Sequence, residues 1–341
     1  MKLKLTAALL IAFATITFAQ PPNLKEETIH IGPGTEDLVL DTLNGQQRLL
    51  VSCSQRRKGL PMFGEIVSLS LKDNSKDTLV RTGEPADLSF HPHGIDLVKG
   101  NNGAALLFVV NHEETEAGKK NSILLYEVKG STLVFMRQQT DKTIVSPNDV
   151  AGLPDGSFYA TNDSKRARMG FGWLMEKLFK IRTSQIVYCN GAGQCINAND
   201  KKLAYANGIL IVNDLVYIAT TQRKTLAEYR RQTDGTLLYS RNVAKLNGLD
   251  NISQVNSDHV IIAAHPKAGK FLKHAKNSQN PSPGIVYLIK LDNGKTEELF
   301  ANDGSKISGN SVAVAFGNSF YIGQVFEDWI LKVTIPLPKE N

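Results

Sequence analysis

The apolar residues of this chain come in short runs, several of them alternating with polar residues, and each run ends in a cluster of turn formers. Runs at 48–52, 65–71, 104–110, 122–128 and 132–136 have this form. So do 157–160, 185–189, 209–220, 259–264, 284–291, 311–315, 319–324 and 329–335. Asn44-Gly45, Pro154-Asp155-Gly156, Thr233-Asp234-Gly235 and Asp292-Asn293-Gly294 fall between them, residues that favour tight turns. The pattern predicts an all-β chain of many short strands. One segment departs from it. From 164 to 181 the apolar residues recur at helical spacing around Gly170-Phe171-Gly172-Trp173-Leu174, with Lys165, Arg166, Arg168, Lys177 and Lys180 nearby. It reads as a short inserted amphipathic helix, packed on the scaffold or serving as a lid or membrane-surface contact.

Polar residues interrupt the apolar runs at recurring places. Glu36-Asp37 lies in a mostly apolar stretch, Asn148-Asp149 follows Ser146-Pro147, and Asp250-Asn251 follows Gly248-Leu249. Asn207 stands alone in Tyr205-Ala206-Asn207-Gly208-Ile209. From Glu36 to His93 is 57 residues, to Asn148 a further 55, to Asn207 59, to Asp250 43 and to Ser311 61. A period near 50 with several strands in each points to the blades of a propeller, and six blades account for 20–341 as one domain. Each polar position then starts an inner strand, and all face one central channel.

Neighbours on extended chain point to opposite sides, so Glu36 and Asp37 serve different centres. Buried carboxylates and carboxamides need partners. Glu36, Asn148, Asn207, Asp250 and Asn251 supply oxygens with a charge of −2, which suits one Ca²⁺; Asp37 and Asp149, also −2, suit a second, deeper Ca²⁺. Zinc would ask for His or Cys ligands that this set lacks. Turn capping is the plainer role for any one of these residues, though a weaker one for the whole set. Histidines form a second group: His93 precedes one strand and His112 ends the next, and if they meet, one imidazole can orient the other as a base.

With 341 residues and 42% apolar composition the chain has material for a sizeable core. The charge of +6 comes from scattered basic residues, which argues against nucleic-acid binding. Residues 1–19 read as a secretory signal, with Lys2 and Lys4 before an apolar core and Thr17-Phe18-Ala19 before Gln20; an uncleaved membrane anchor is the alternative. Either places the body outside the cytosol, secreted or periplasmic. Cys189 and Cys195 bracket a short flexible loop and are expected to form a disulfide, leaving Cys53 buried on a strand. Asn162-Asp163-Ser164 matches a glycosylation sequon.

Taken together, these motifs resemble the paraoxonase/arylesterase family of six-bladed, calcium-dependent lactonases. The resemblance runs through Gly34-Thr35-Glu36-Asp37, Phe90-His91-Pro92-His93-Gly94-Ile95, Val109-Val110-Asn111-His112, Pro147-Asn148-Asp149 and Tyr159-Ala160-Thr161-Asn162-Asp163. It continues through Ala206-Asn207-Gly208-Ile209, Asp250-Asn251-Ile252-Ser253, His265-Pro266 and Gly309-Asn310-Ser311-Val312-Ala313, covering about Gly34 to Ile335. It implies that Glu36, Asn148, Asn207, Asp250 and Asn251 hold a catalytic calcium, and that Asp37, Asp149 and the Ile95 carbonyl hold a structural one. His93 and His112 correspond to a catalytic dyad, and His265 to a histidine near the active site. The cysteine pair that links the termini in paraoxonases is absent, so closure of the propeller is expected to rest on strand pairing. Ser164-Lys165-Arg166-Ala167 also departs from the family, which leaves substrate preference open.

The implied chemistry is hydrolysis of lactones and aryl esters, with His93 or a carboxylate, Glu36 or Asp250, as the base. A sugar-lactone hydrolase, a strictosidine-synthase-like enzyme, or a secreted calcium-stabilised propeller that only binds partners are the rival readings.

Overall fold

The computed structural model describes residues 24–57, 59–115, 118–166 and 181–335. The expected signal 1–19 and most of the expected helix 164–181 lie outside these residues. The strands assemble into six sheets arranged as the blades of a β-propeller.

Each blade is an antiparallel meander whose first strand lies innermost. The inner strands are Thr35–Asp41, Pro92–Lys99, Pro147–Gly152, Ala206–Val212, Leu249–Gln254 and Asn310–Phe316. The core lies between blades, where Leu, Ile, Val and aromatic side chains from facing sheets interdigitate; Leu50, Ile66, Leu107, Val109 and Tyr126 form one such layer between blades one and two. Blade two gains a fifth strand, Val80–Thr82, which pairs parallel to Thr132–Gln139.

The ring closes through the N-terminal strand. Lys25–His30 pairs antiparallel with Trp329–Thr334 and becomes the outer strand of blade six. Ile29 from that strand is buried against Val312, Val314 and Ile330. Closure therefore rests on a ladder of main-chain hydrogen bonds and apolar packing. Cys189 and Cys195 are bonded to each other across two neighbouring strands of blade three, and Cys53 is free and buried.

Three expectations need correction. The run 209–220 is two strands, Ala206–Val212 and Leu215–Thr220, because Asn213 takes a left-handed φ of 56° and reverses the chain. Asn162 is not a sugar acceptor in the folded chain: it is buried, accepts from the Val145 and Ser146 N–H groups and donates to the Thr143 carbonyl. A helix, Ala268–Lys276, follows the His265-Pro266 turn and was not expected, although Ala268, Phe271, Leu272 and Ala275 recur at helical spacing there. Among the described residues no helix is long and apolar enough to cross a membrane.

Candidate active site

The same irregularity recurs at the start of all six inner strands. Pairing with the next strand shifts register between Thr35 and Asp37, Pro92 and Ile95, and Pro147 and Val150. It shifts again between Ala206 and Ile209, Leu249 and Ile252, and Asn310 and Val312. A β-bulge bends its strand and re-aims a side chain. The bulged residues are Glu36, His93-Gly94, Asn148-Asp149, Asn207-Gly208, Asp250-Asn251 and Ser311, so the fold turns the polar positions of the sequence into one ring.

The approach to each bulge is fixed locally. Pro92 and Pro147 open two of the strands with a preset φ. The other four follow a residue in the left-handed region: Gly34, Tyr205, Gly248 and Gly309. At Gly34 a side chain is also sterically blocked, since a Cβ would lie 2.1 Å from the Ser54 carbonyl oxygen.

Hydrogen bonds lock the ring from blade to blade. The Ser52 hydroxyl donates to the His93 carbonyl at 2.6 Å and the Thr161 hydroxyl to the Asn207 carbonyl at 2.6 Å. Thr221 donates to the Leu249 carbonyl at 2.7 Å, and Ser311 to the Glu36 carbonyl at 2.5 Å. Gly94 and Gly208 let neighbouring inner strands approach closely. A Cβ on Gly94 would sit 2.6 Å from Asp149 Cα, and one on Gly208 2.7 Å from Asn251 Cα.

Glu36 and Asp37 diverge, as their alternation requires. Glu36 Oε1 lies 2.8 Å from His93 Nε2, and Oε2 lies 3.5 Å from Arg56. Asp37 turns away and accepts from the Ile95 N–H at 2.7 Å. Asp149 does the same one blade boundary later, accepting from the Ile209 N–H at 2.8 Å. Burial pushes both carboxyls well above the usual range, and the repulsion from neighbouring carboxylates adds to it. Asp96, which sequence reasoning missed, completes this acidic layer. It accepts from the Gly152 N–H at 2.7 Å, and its enclosed place in the channel raises its carboxyl to about 6.

His93 and His112 meet. His93 Nδ1 lies 3.2 Å from His112 Nε2, with the rings edge to face at 4.9 Å. His112 Nδ1 is in turn 2.7 Å from Asn121 Oδ1. His265 contacts Asp250 at 3.2 Å and the Asn310 carbonyl at 3.4 Å. Burial disfavours charge on its ring, but these two partners outweigh that and hold its pKa above the ordinary value. On its other face His265 stacks on Phe271 of the helix Ala268–Lys276, with ring centres 4.4 Å apart. Arg56 and Asn121 were not expected from sequence; Arg56 contacts Glu36 and Asn121 contacts His112.

The donor set fits a hard cation. Three of the buried side-chain polar atoms without a partner are the Oδ1 atoms of Asn148, Asn207 and Asn251. For Asn207 the amide orientation is fixed, because its Nδ2 donates to the Thr221 hydroxyl at 3.1 Å. Buried oxygens left unsatisfied are costly unless something else binds them. The donor atoms here are carboxylate and carboxamide oxygens, the ligand type that suits hard cations.

This is the setting in which the likeness to known proteins becomes informative. A family model described as "Arylesterase" matches residues 61–331. The chain belongs to the arylesterase family. Its relatives include the rat serum paraoxonase/arylesterase 1, 26% identical over 76% of this chain and 74% of the relative. The human serum paraoxonase/arylesterase 2 is 27% identical over 77% and 75%, and the human serum paraoxonase/lactonase 3 is 22% identical over 91% and 92%. Among solved structures, a luciferin-regenerating enzyme superposes with a TM-score of 0.56 at 11% identity, covering 91% of this chain and 95% of that one. A gluconolactonase from Xanthomonas campestris gives 0.53 at 12% identity, with coverage of 91% and 86%. These two show a shared fold and no more. Arylesterase membership is consistent with the propeller.

Proposed function

We propose that this chain is a secreted, calcium-dependent hydrolase of lactones and aryl esters. The observation that carries the reading is the bulged ring, where a linked histidine pair touches Glu36 and three buried carboxamide oxygens lack partners. Glu36, Asn148, Asn207, Asp250 and Asn251 would hold one calcium. Asp37, Asp149 and the Ile95 carbonyl would hold a second, whose positive charge suits two carboxyls that burial and repulsion now push toward neutrality. When bound at the upper set, calcium supplies a positive charge that polarises a carbonyl.

The residues of the chain do the remaining work. His93 Nε2 accepts a proton from water as the water oxygen bonds to the carbonyl carbon. The C–O bond to the leaving oxygen then breaks, and that oxygen takes the proton back from His93. His112 holds the His93 ring in place through Nδ1. Glu36, 2.8 Å from Nε2, is the competing base. His265, Phe271 and Phe326 form an aromatic wall beside Asp250 that suits the apolar part of an ester. The disulfide Cys189–Cys195 supports an oxidising compartment.

The test is hydrolysis of aliphatic lactones, gluconolactone and phenyl acetate by purified protein, before and after treatment with a calcium chelator. Turnover is expected to need calcium and to be lost in Glu36→Gln. His93→Gln is expected to lower kcat by about 10²–10⁴-fold, the contribution of a positioned general base. Preference for gluconolactone would move the reading to a sugar-lactone hydrolase. A folded, calcium-loaded protein with no turnover on the panel would overturn it.

A further inference from the structure

We propose that Asn121 is a positioning residue that sets which nitrogens of His112 and His93 carry protons. The proposal rests on the hydrolytic reading above and names a further residue for the same site.

Asn121 lies on the strand Gly118–Lys129, directly across the antiparallel ladder from His112. Side chains of such a pair share one face of the sheet. The Asn121 amide is anchored at its nitrogen end, because Nδ2 donates to the Val145 carbonyl at 2.7 Å. Reversing the amide would set two acceptor oxygens against each other. Oδ1 therefore faces His112 Nδ1, 2.7 Å away.

An amide oxygen carries no proton, so the proton in that bond belongs to His112 Nδ1. A neutral imidazole has one N–H, which leaves His112 Nε2 as an acceptor. Its partner, His93 Nδ1 at 3.2 Å, must then be the donor. His93 Nε2 faces the ring, 2.8 Å from Glu36 Oε1; a lone pair and a carboxylate would repel at that distance, so the two groups share one proton across this contact. Donation runs from His93 through His112 to Asn121, whose own side-chain N–H donates to Val145 at the interface of blades two and three, so Asn121 is the fixed end.

During turnover the arrangement has a direct consequence. The proton taken from water enters at the pair of His93 Nε2 and Glu36 Oε1 and leaves from that pair to the departing oxygen. The Nδ1–H of His93 and the Nδ1–H of His112 stay in place. With the opposite arrangement the proton between the two rings would sit on His112 Nε2, and the Asn121 oxygen would face a lone pair on His112 Nδ1.

A structural role is the alternative, since the same amide ties blade two to the Val145 carbonyl at the edge of blade three. Two substitutions separate the roles. Asn121→Ala removes both contacts. Asn121→Asp keeps an acceptor for His112 Nδ1 and loses the donor to Val145. The readouts are the side-chain ¹⁵N signals of His112, assigned with a His112→Gln variant, together with kcat and KM on a lactone.

In the wild type and in Asn121→Asp, His112 is expected to carry its proton on Nδ1; in Asn121→Ala that preference is lost. The Ala variant is expected to lower kcat by about 10- to 100-fold, a partial loss of what a general base contributes, with KM little changed. The Asp variant is expected to recover most of kcat. A wild-type His112 protonated on Nε2 would overturn the proposal, as would an unchanged kcat in Asn121→Ala. Equal losses of kcat in both variants would assign Asn121 to the blade tie and also overturn it. If the wild type turns over no ester, the hydrolytic reading fails, and the ¹⁵N signals still decide the proton arrangement.

Discussion

At the scale of single residues, the bulge gives adjacent side chains different work. Glu36 reaches His93 and Arg56, while Asp37 reaches the Ile95 N–H, so one dipeptide serves two levels of the channel. The bulge needs a small residue where one inner strand presses on the next. Gly94 meets that need. A methyl group there would fall 2.6 Å from both Asp149 Cα and Asp149 Oδ1, which are main chain and a buried carboxylate with little room to shift. Gly94→Ala is expected to destabilise the fold by about 1–3 kcal/mol, the usual cost of overpacking, in denaturant unfolding. Unchanged stability would mean that the strands around the channel are looser than described. The divergence of Glu36 and Asp37 was legible in the sequence, because alternation on extended chain is local. Asn121 was not. Its role depends on a cross-strand register with His112 and on the Val145 carbonyl, and no local spacing encodes either. Arg56 escaped notice for the same reason, and it places a positive charge beside Glu36 that the count of oxygen ligands left out.

At the scale of elements, the helix Ala268–Lys276 combines a short helical apolar pattern with strong tertiary contacts. It is short, carries Gly269, and has no side-chain cap at its start. Its contacts hold it instead. Phe271 stacks on His265, and His274 is buried with Nε2 3.1 Å from Glu327. Arg57 bridges the same carboxylate at 2.5 Å and donates to the His274 carbonyl at 2.7 Å. Burial alone would raise the Glu327 carboxyl, but the bonds from His274 and Arg57 and their charge outweigh it, so its pKa falls below the ordinary 4.5. A carboxyl with a depressed folded-state pKa stabilises the fold fully above its unfolded value. That contribution fades as pH falls through the folded value. Stability is therefore expected to drop on acidification below about pH 4.5, and Glu327→Gln to flatten that part of the profile. At neutral pH the substitution is expected to cost about 1–3 kcal/mol, the range for hydrogen bonds to a charged group. Parallel acid profiles for the two proteins would contradict the clamp. Outer strands were also hard to read. Leu237–Lys245 and Thr296–Asn302 carry exposed polar residues along much of their length, because they lie at the rim of the propeller where one side meets water.

At the scale of the whole molecule, the roughly fifty-residue period was the most legible feature. It survives sequence change because every blade must bring one inner strand to the same axis. The ring closes by the antiparallel ladder between Lys25–His30 and Trp329–Thr334. The ring itself was half legible. Its members could be named from polar residues spaced along the chain, but their convergence depends on the bulge at each inner strand, which no composition predicts. The central claim is that this ring, with the oxygens of Asn148, Asn207 and Asn251 left without partners, is built for calcium. Calorimetric titration of Ca²⁺ into the metal-stripped protein tests it most directly. The account predicts saturable binding that Asn207→Ala and Asn251→Ala weaken at least tenfold, about 1.4 kcal/mol each. A folded, stripped protein that takes up no calcium, or that binds it equally well without those carboxamides, would contradict it.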